Sequence, residues 1–137
     1  MKLKTKYIYR CGMPIKEFFT ADDNGVKQGL YMSFYENGQI EIKCTYKDGK
    51  KDGPYEEYFD DGRLLDIQTY QKGKELFEEE ARLYMKEWLK NHNFVQMQKN
   101  LYVLIKKQED ERKLQLRLIV KKAVVSFKDK FFKQRQR

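Results

Sequence analysis

The chain has 137 residues, 40% of them apolar, 15% aromatic and 36% charged, with a net charge of +8. That length fits one compact domain, or one small domain with an appendage. The mixed-sign charge and strong hydrophobic periodicity exclude a disordered polymer, and the lack of a run of roughly 18 apolar residues excludes a membrane-spanning helix.

The charge is unevenly placed. Residues 1–75 carry 13 Lys/Arg against 13 Asp/Glu, whereas residues 76–137 carry 16 against 8. From Arg112 onward ten basic residues face one acid, Asp129. The first half is neutral and the tail is a cation. Met1-Lys2-Leu3-Lys4 leads into Tyr-Ile-Tyr-Arg, too short and polar for a signal-peptide core, so the expected location is cytoplasmic. Cys11 and Cys44 lack metal-ligand spacing and read as reduced thiols.

In chain order, residues 1–28 read as a degraded first copy of a repeat. Tyr7 falls 24 residues before Tyr31, and Asn24-Gly25 falls 24 before Asp48-Gly49. Pro14 cannot donate to a ladder, so it belongs at a bend or a strand start. Between Gly25 and Gly73 five glycines recur at spacings of 13, 11, 13 and 11. A shift of 24 lays Gly29 on Gly53, Tyr31 on Tyr55, Gly38 on Gly62, Tyr46 on Tyr70 and Gly49 on Gly73. Turns this short leave no room for crossovers, so the repeat predicts an antiparallel meander. A type I′ turn at Asn37-Gly38 would set Tyr35 opposite Ile40, Ser33 opposite Ile42 and Tyr31 opposite Cys44. The next copy would set Phe59 opposite Leu64 and Tyr55 opposite Gln68. One face then collects Tyr31, Tyr35, Tyr55 and Phe59.

After Gly73 no Gly or Pro occurs in the remaining 64 residues. Leu76 to Lys90 predicts an amphipathic helix, with Phe77, Ala81, Tyr84, Trp88 and Leu89 on one stripe, ended by Asn91-His92-Asn93. Residues 94–120 admit two readings. The stripe Phe94, Met97, Leu101, Leu104, Ile105 is helical. The runs 101–105 and 114–120 fit strands, and their β-branched and aromatic content favours a β-hairpin turning at Gln108 to Arg112. Residues 121–133 predict a final basic helix with Val120, Val124, Phe127 and Phe131 on one face. The fold class is thus α+β, with a repeat region at 1–75 and a basic α/β region at 76–137 packed on or beside the sheet.

Catalytic chemistry finds no footing. His92 is a single histidine in a helix-ending loop, and the acid pairs sit where adjacent side chains point to opposite faces. Neither GxGxxG nor GxxxxGK[ST] occurs. No catalytic, cofactor-binding or metal-binding residue is assigned, and no enzyme is expected.

The runs Gly29-Leu-Tyr-Met-Ser-Phe-Tyr35-Glu-Asn-Gly38 and Gly53-Pro-Tyr-Glu-Glu-Tyr-Phe59-Asp-Asp-Gly62, followed by Tyr46-Lys-Asp-Gly49 and Tyr70-Gln-Lys-Gly73, resemble the bacterial variant of the MORN repeat found in antitoxin-like proteins. The resemblance covers about half of the chain. It implies a scaffold that binds a protein, with inhibition of a toxin or nuclease as the concrete version. The expected partner-binding residues are Tyr31, Tyr35, Tyr55 and Phe59 on the sheet. In the basic tail they are Lys121, Lys122, Lys128, Lys130, Lys133, Arg135 and Arg137, since aromatic and basic residues dominate interfaces. Nucleic acid or an anionic membrane is the alternative partner of residues 112–137, the membrane being the less favoured, and exposed edge strands point to a sheet-extended dimer.

Overall fold

The computed structural model describes residues 1–135. Seven strands form one antiparallel sheet in sequence order: β1 (Lys2–Arg10), β2 (Met13–Ala21), β3 (Lys27–Tyr35), β4 (Ile40–Lys47), β5 (Lys50–Tyr58), β6 (Leu64–Gln71) and β7 (Lys74–Leu76). Two helices follow, α1 (Glu78–Asn91) and α2 (Phe94–Arg135). The meander is as the glycine spacing predicts, and the first helix forms but starts later than Leu76: Leu76 ends β7, Phe77 precedes the helix, and of the expected stripe Trp88 is buried while Phe77 and Leu89 are exposed. The chain divides into two compact units, Met1–Tyr102 and the segment from Val103 onward, so α1 and the first turns of α2 belong with the sheet.

Register sorts the side chains into rows across six strands. Lys4, Phe19, Tyr31, Cys44, Tyr55 and Gln68 are cross-strand neighbours in turn, as are Lys6, Glu17, Ser33, Ile42, Glu57 and Asp66. On the other face the row is Thr5, Phe18, Met32, Lys43, Glu56 and Ile67.

The turns are of two kinds. Cys11-Gly12, Asp48-Gly49 and Lys72-Gly73 have positive φ at both residues, as a two-residue type I′ turn requires. Asn37-Gly38 differs from the prediction. Only Gly38 has positive φ, its N–H bonds to the Tyr35 carbonyl at 2.9 Å, and the Tyr35 N–H bonds to Gln39 O at 2.9 Å. This is a three-residue loop with a glycine bulge, because the Asn37 carboxamide accepts the Gln39 N–H and holds Asn37 out of the left-handed region. The slip places Phe34, not Tyr35, opposite Ile40, and in the next copy Tyr58, not Phe59, opposite Leu64. Tyr31–Cys44, Ser33–Ile42 and Tyr55–Gln68 pair as expected.

The predicted β-hairpin over 94–120 is not formed: the whole stretch is helical and runs on through 121–133, so the final helix is part of α2. Residues 106–113, Lys-Lys-Gln-Glu-Asp-Glu-Arg-Lys, are nearly all good helix formers and contain none of the Gly, Pro or Asn that a hairpin loop needs.

Within Met1–Tyr102, α1 and the start of α2 cover the Met32 face. Trp88 is buried there and meets Phe94 edge-on at 5.9 Å. Lys43 Nζ donates to Gln98 Oε1 at 3.1 Å and lies 4.7 Å over the Phe94 ring, and Phe34 lies 6.5 Å from Tyr102. Gly53, at φ +103°, makes room for the indole. A Cβ there would lie 2.7 Å from Trp88 and 2.6 Å from Thr45 Oγ1. The buried Asp52 completes the corner, accepting the Lys72 N–H at 3.0 Å and the Tyr84 hydroxyl.

Candidate binding surfaces

The opposite sheet face carries the aromatic residues that the sequence offered as anchors, and two of the four are interior. Tyr31 is 4% exposed and Tyr55 8%, in a cluster with Phe19, Ala21, Ile42 and Cys44. They are core side chains here, not free surface. The reason is a unit that the 24-residue shift repeats. Lys27 Nζ sits 5.2 Å over Tyr31 and 5.0 Å over Tyr46, while Lys51 Nζ sits 4.5 Å over Tyr55 and 5.0 Å over Tyr70. Tyr31–Tyr46 and Tyr55–Tyr70 meet edge-on at 5.7 and 5.8 Å. Each lysine keeps a cation over two ring faces and shields them from water. The signal was in the sequence: Lys27 and Lys51 stand one repeat apart.

Polar groups bound this cluster. The Tyr31 hydroxyl donates to Glu17, Ser33 Oγ donates to Glu41 Oε1 at 2.9 Å, and the Arg10 guanidinium lies 3.5 Å from Glu41 and 3.8 Å from Glu17. Burial, and then the bond to Glu17, pushes the Tyr31 phenol well above its ordinary range. Burial pushes Tyr46 to about 12, and burial with the Glu56 bond does the same for Tyr58. The Cys44 thiol is pushed up to about 12 by burial, which makes it a poor nucleophile.

Tyr35 is half-buried and its hydroxyl donates to Tyr58 O at 2.7 Å. Phe59 is exposed, with the Arg63 guanidinium 5.2 Å over its ring. Of the four sheet residues put forward, these two remain reachable by a partner.

The histidine and cysteines do not converge. His92 stacks on Trp88 at 4.2 Å with Nδ1 2.9 Å from Trp88 O, Cys11 is exposed in a turn, and Cys44 is buried. Among the described residues no group of three or more His, Cys, Asp and Glu side chains is placed to hold a metal, and no helix is long and apolar enough to cross a membrane.

The second unit is helix alone, from Val103 to Arg135 of α2. Lys121, Lys122, Lys128, Lys130 and Lys133 are all exposed along it. Arg135 ends the helix, with its side chain outside what the structure describes, and Arg137 lies outside the described residues. The exposed apolar residues of the helix include Leu114, Leu116, Leu118, Ile119, Val120, Val124, Val125, Phe127 and Phe132; the sequence groups Val120, Val124 and Phe127 on one helix face, but the stretch 114–120 reads as a strand. At roughly 100° per residue, Leu116, Ile119, Val120 and Val124 share one side, while Leu114, Leu118, Val125 and Phe132 form a second, narrower stripe. Arg117, Lys121 and Lys128 run between the two.

A family model described as the MORN repeat variant matches residues 27–48 and 51–72, two segments offset by the same 24 residues as the lysine–tyrosine units. Repeats of this family are commonly protein- or membrane-binding modules, and a non-enzymatic binding role fits this chain. No curated protein matches the chain. No solved structure matches it.

Proposed function

We propose that the chain is a non-enzymatic protein-binding module of antitoxin or inhibitor type, with the β-repeat sheet as scaffold and the basic C-terminal helix as docking element. The observation that carries this reading is the helix from Val103 onward, whose two apolar stripes are exposed and flanked by lysines. An isolated helix gains little stability from propensity alone, and apolar side chains of this number favour burial against a partner. An acidic rim around an apolar groove would complement ten basic residues against one acid, and the partner we infer is a nuclease or another nucleic-acid-associated protein that carries such a groove. Tyr35 and Phe59 on the sheet add reachable aromatic contacts.

Direct binding of nucleic acid or an anionic membrane through residues 112–137 is the second reading, favoured by the charge alone. Phosphate binding needs no apolar stripe. A flat membrane engages one helix face, and immersing both stripes would also immerse Arg117, Lys121 and Lys128.

The test is capture of a partner from the native host with the full chain and with an Ile119→Ser/Val124→Ser variant, followed by titration of the purified partner. RNA, DNA and anionic vesicles are titrated in parallel across a salt series. A protein whose affinity falls about tenfold or more in the apolar variant supports the first reading. Tight, steeply salt-dependent nucleic-acid or vesicle binding, lost on deleting 121–137 and untouched by the apolar variant, overturns it.

A further inference from the structure

The sheet has two unfinished edges whose chemistries match each other. β1 is the first strand of the order and pairs only with β2. At the other end β7 covers only Thr69–Gln71 of β6, which leaves residues 64–68 with no strand beyond them among the described residues. In a meander β1 and β6 run in opposite senses, so a β1 strand laid against β6 continues the antiparallel alternation already present.

We propose that these edges join one copy of the chain to the next, β6 of one against β1 of another, in head-to-tail fashion. Both faces are complementary across that junction. On the aromatic-cluster face, β1 presents Lys2, Lys4 and Lys6, while the row that begins at Lys6 ends on β5 and β6 in Glu57 and Asp66. A following β1 would set its lysines beside those carboxylates. On the opposite face β1 presents Tyr7 and Tyr9, which are 70% and 80% exposed, and β6 presents Ile67, which is 61% exposed. The junction would pair aromatic with aliphatic, a favourable cross-strand combination.

A two-fold β1–β1 junction is disfavoured, because it sets Lys2, Lys4 and Lys6 of one copy against the same residues of the other. Lysines on an edge strand commonly block pairing. Here they all point to one face, the face on which β6 supplies Asp66. Since the two surfaces differ, the contact does not close on itself by symmetry, and growth beyond a dimer is expected.

Sedimentation velocity of the full chain over about 5–500 µM tests this. The expected result is a weight-average mass that rises past the dimer and falls with added salt. Asp66→Lys and Lys6→Glu should each weaken association about tenfold, and the two together should restore it. Ile67→Lys should weaken it on the other face. Tyr7→Pro removes an N–H that the register directs away from β2, and it should stop growth. Circular dichroism and Trp88 fluorescence verify folding, and the charge-reversal pair decides the matter if the proline variant does not fold. A monomer across the whole range overturns the proposal. So does a closed dimer that ignores the edge variants and is lost in Ile119→Ser/Val124→Ser, which would assign self-association to the helix.

Discussion

The Arg10 guanidinium reaches the Glu41 carboxylate at 3.5 Å although β2 and β3 lie between their strands. The sheet therefore bends around its aromatic cluster, and this ion pair spans the bend. Glu41 is almost wholly buried, while Arg10 remains over a third exposed.

Removing the arginine leaves a buried carboxylate with only Ser33 as side-chain donor. Arg10→Ala should cost about 1–3 kcal/mol, below the roughly 3–5 kcal/mol of a wholly buried pair because Arg10 is partly in water. Glu41→Gln should cost less, and the double variant should recover part of the loss. Urea unfolding of the four chains measures the coupling; additive losses would mean that the pair does not strap the sheet.

Two glycines of like backbone conformation should respond unequally to alanine. Gly38→Ala meets open space and carries only the strain of its φ of +87°, about 1 kcal/mol. Gly53→Ala carries that strain and also drives its methyl into Trp88 and Thr45, adding about 1–3 kcal/mol. Trp88, the single tryptophan, should shift its fluorescence in the second variant alone. Equal losses would mean that the indole does not rest on β5.

The two thiols should separate by reactivity. Cys11 is exposed at φ +52°, whereas Cys44 is buried with its thiol pushed up to about 12. A disulfide reagent at pH 8 should label one thiol per chain within seconds to minutes, and the second only in denaturant. Cys11→Ser should abolish the fast phase; rapid labelling of both in the native chain would contradict the packing.

Alkali should unfold the protein through its tyrosines. Tyr46, Tyr58 and Tyr84 are pushed up to about 12, in each case chiefly by burial, and Tyr31 and Tyr55 are pushed higher in the same direction. An unfolded tyrosine ionises near 10, so the unfolded chain loses protons first. Stability from these rings is complete below about pH 10 and is lost as pH rises toward 12 and beyond. The slope is up to about 1.4 kcal/mol per pH unit for a wholly buried ring, and less for Tyr58 and Tyr84, which are partly open. Phenolate absorbance should rise in two phases, the second coincident with loss of circular dichroism. A single phase complete near pH 10 with structure retained would contradict the buried cluster.

The sheet was legible because the glycines at 25, 38, 49, 62 and 73 mark turns and the 24-residue shift fixes strand order. Turn type was less so: Asn37-Gly38 and Asp48-Gly49 look alike in sequence, yet Asp48 takes positive φ while the Asn37 carboxamide accepts the Gln39 N–H and Asn37 does not. The hairpin expected in 94–120 has a definite cause. Leu114 and Leu118 lie on one helix stripe, Leu116 and Val120 on another, and two stripes offset by two residues produce the alternation of a strand. Tyr31 and Tyr55 read as surface anchors because residue type does not reveal that Lys27 and Lys51 close over them. The exposed stripes of the helix were hidden by the same alternation.

The lysine–tyrosine unit also makes the repeat a measure of length. Each 24-residue copy contributes two strands, about 10 Å of sheet width; Tyr35 to Tyr58 and Asn37 to Asp60 join one copy to the next, while Gly49 to Lys27 and Gly73 to Lys51 tie the start of each copy to the turn that follows it. Inserting or deleting one whole copy should therefore change the separation between β1 and the Trp88 corner in fixed steps without redesigning either end. Copy number, in such a chain, is a ruler that selection can reset.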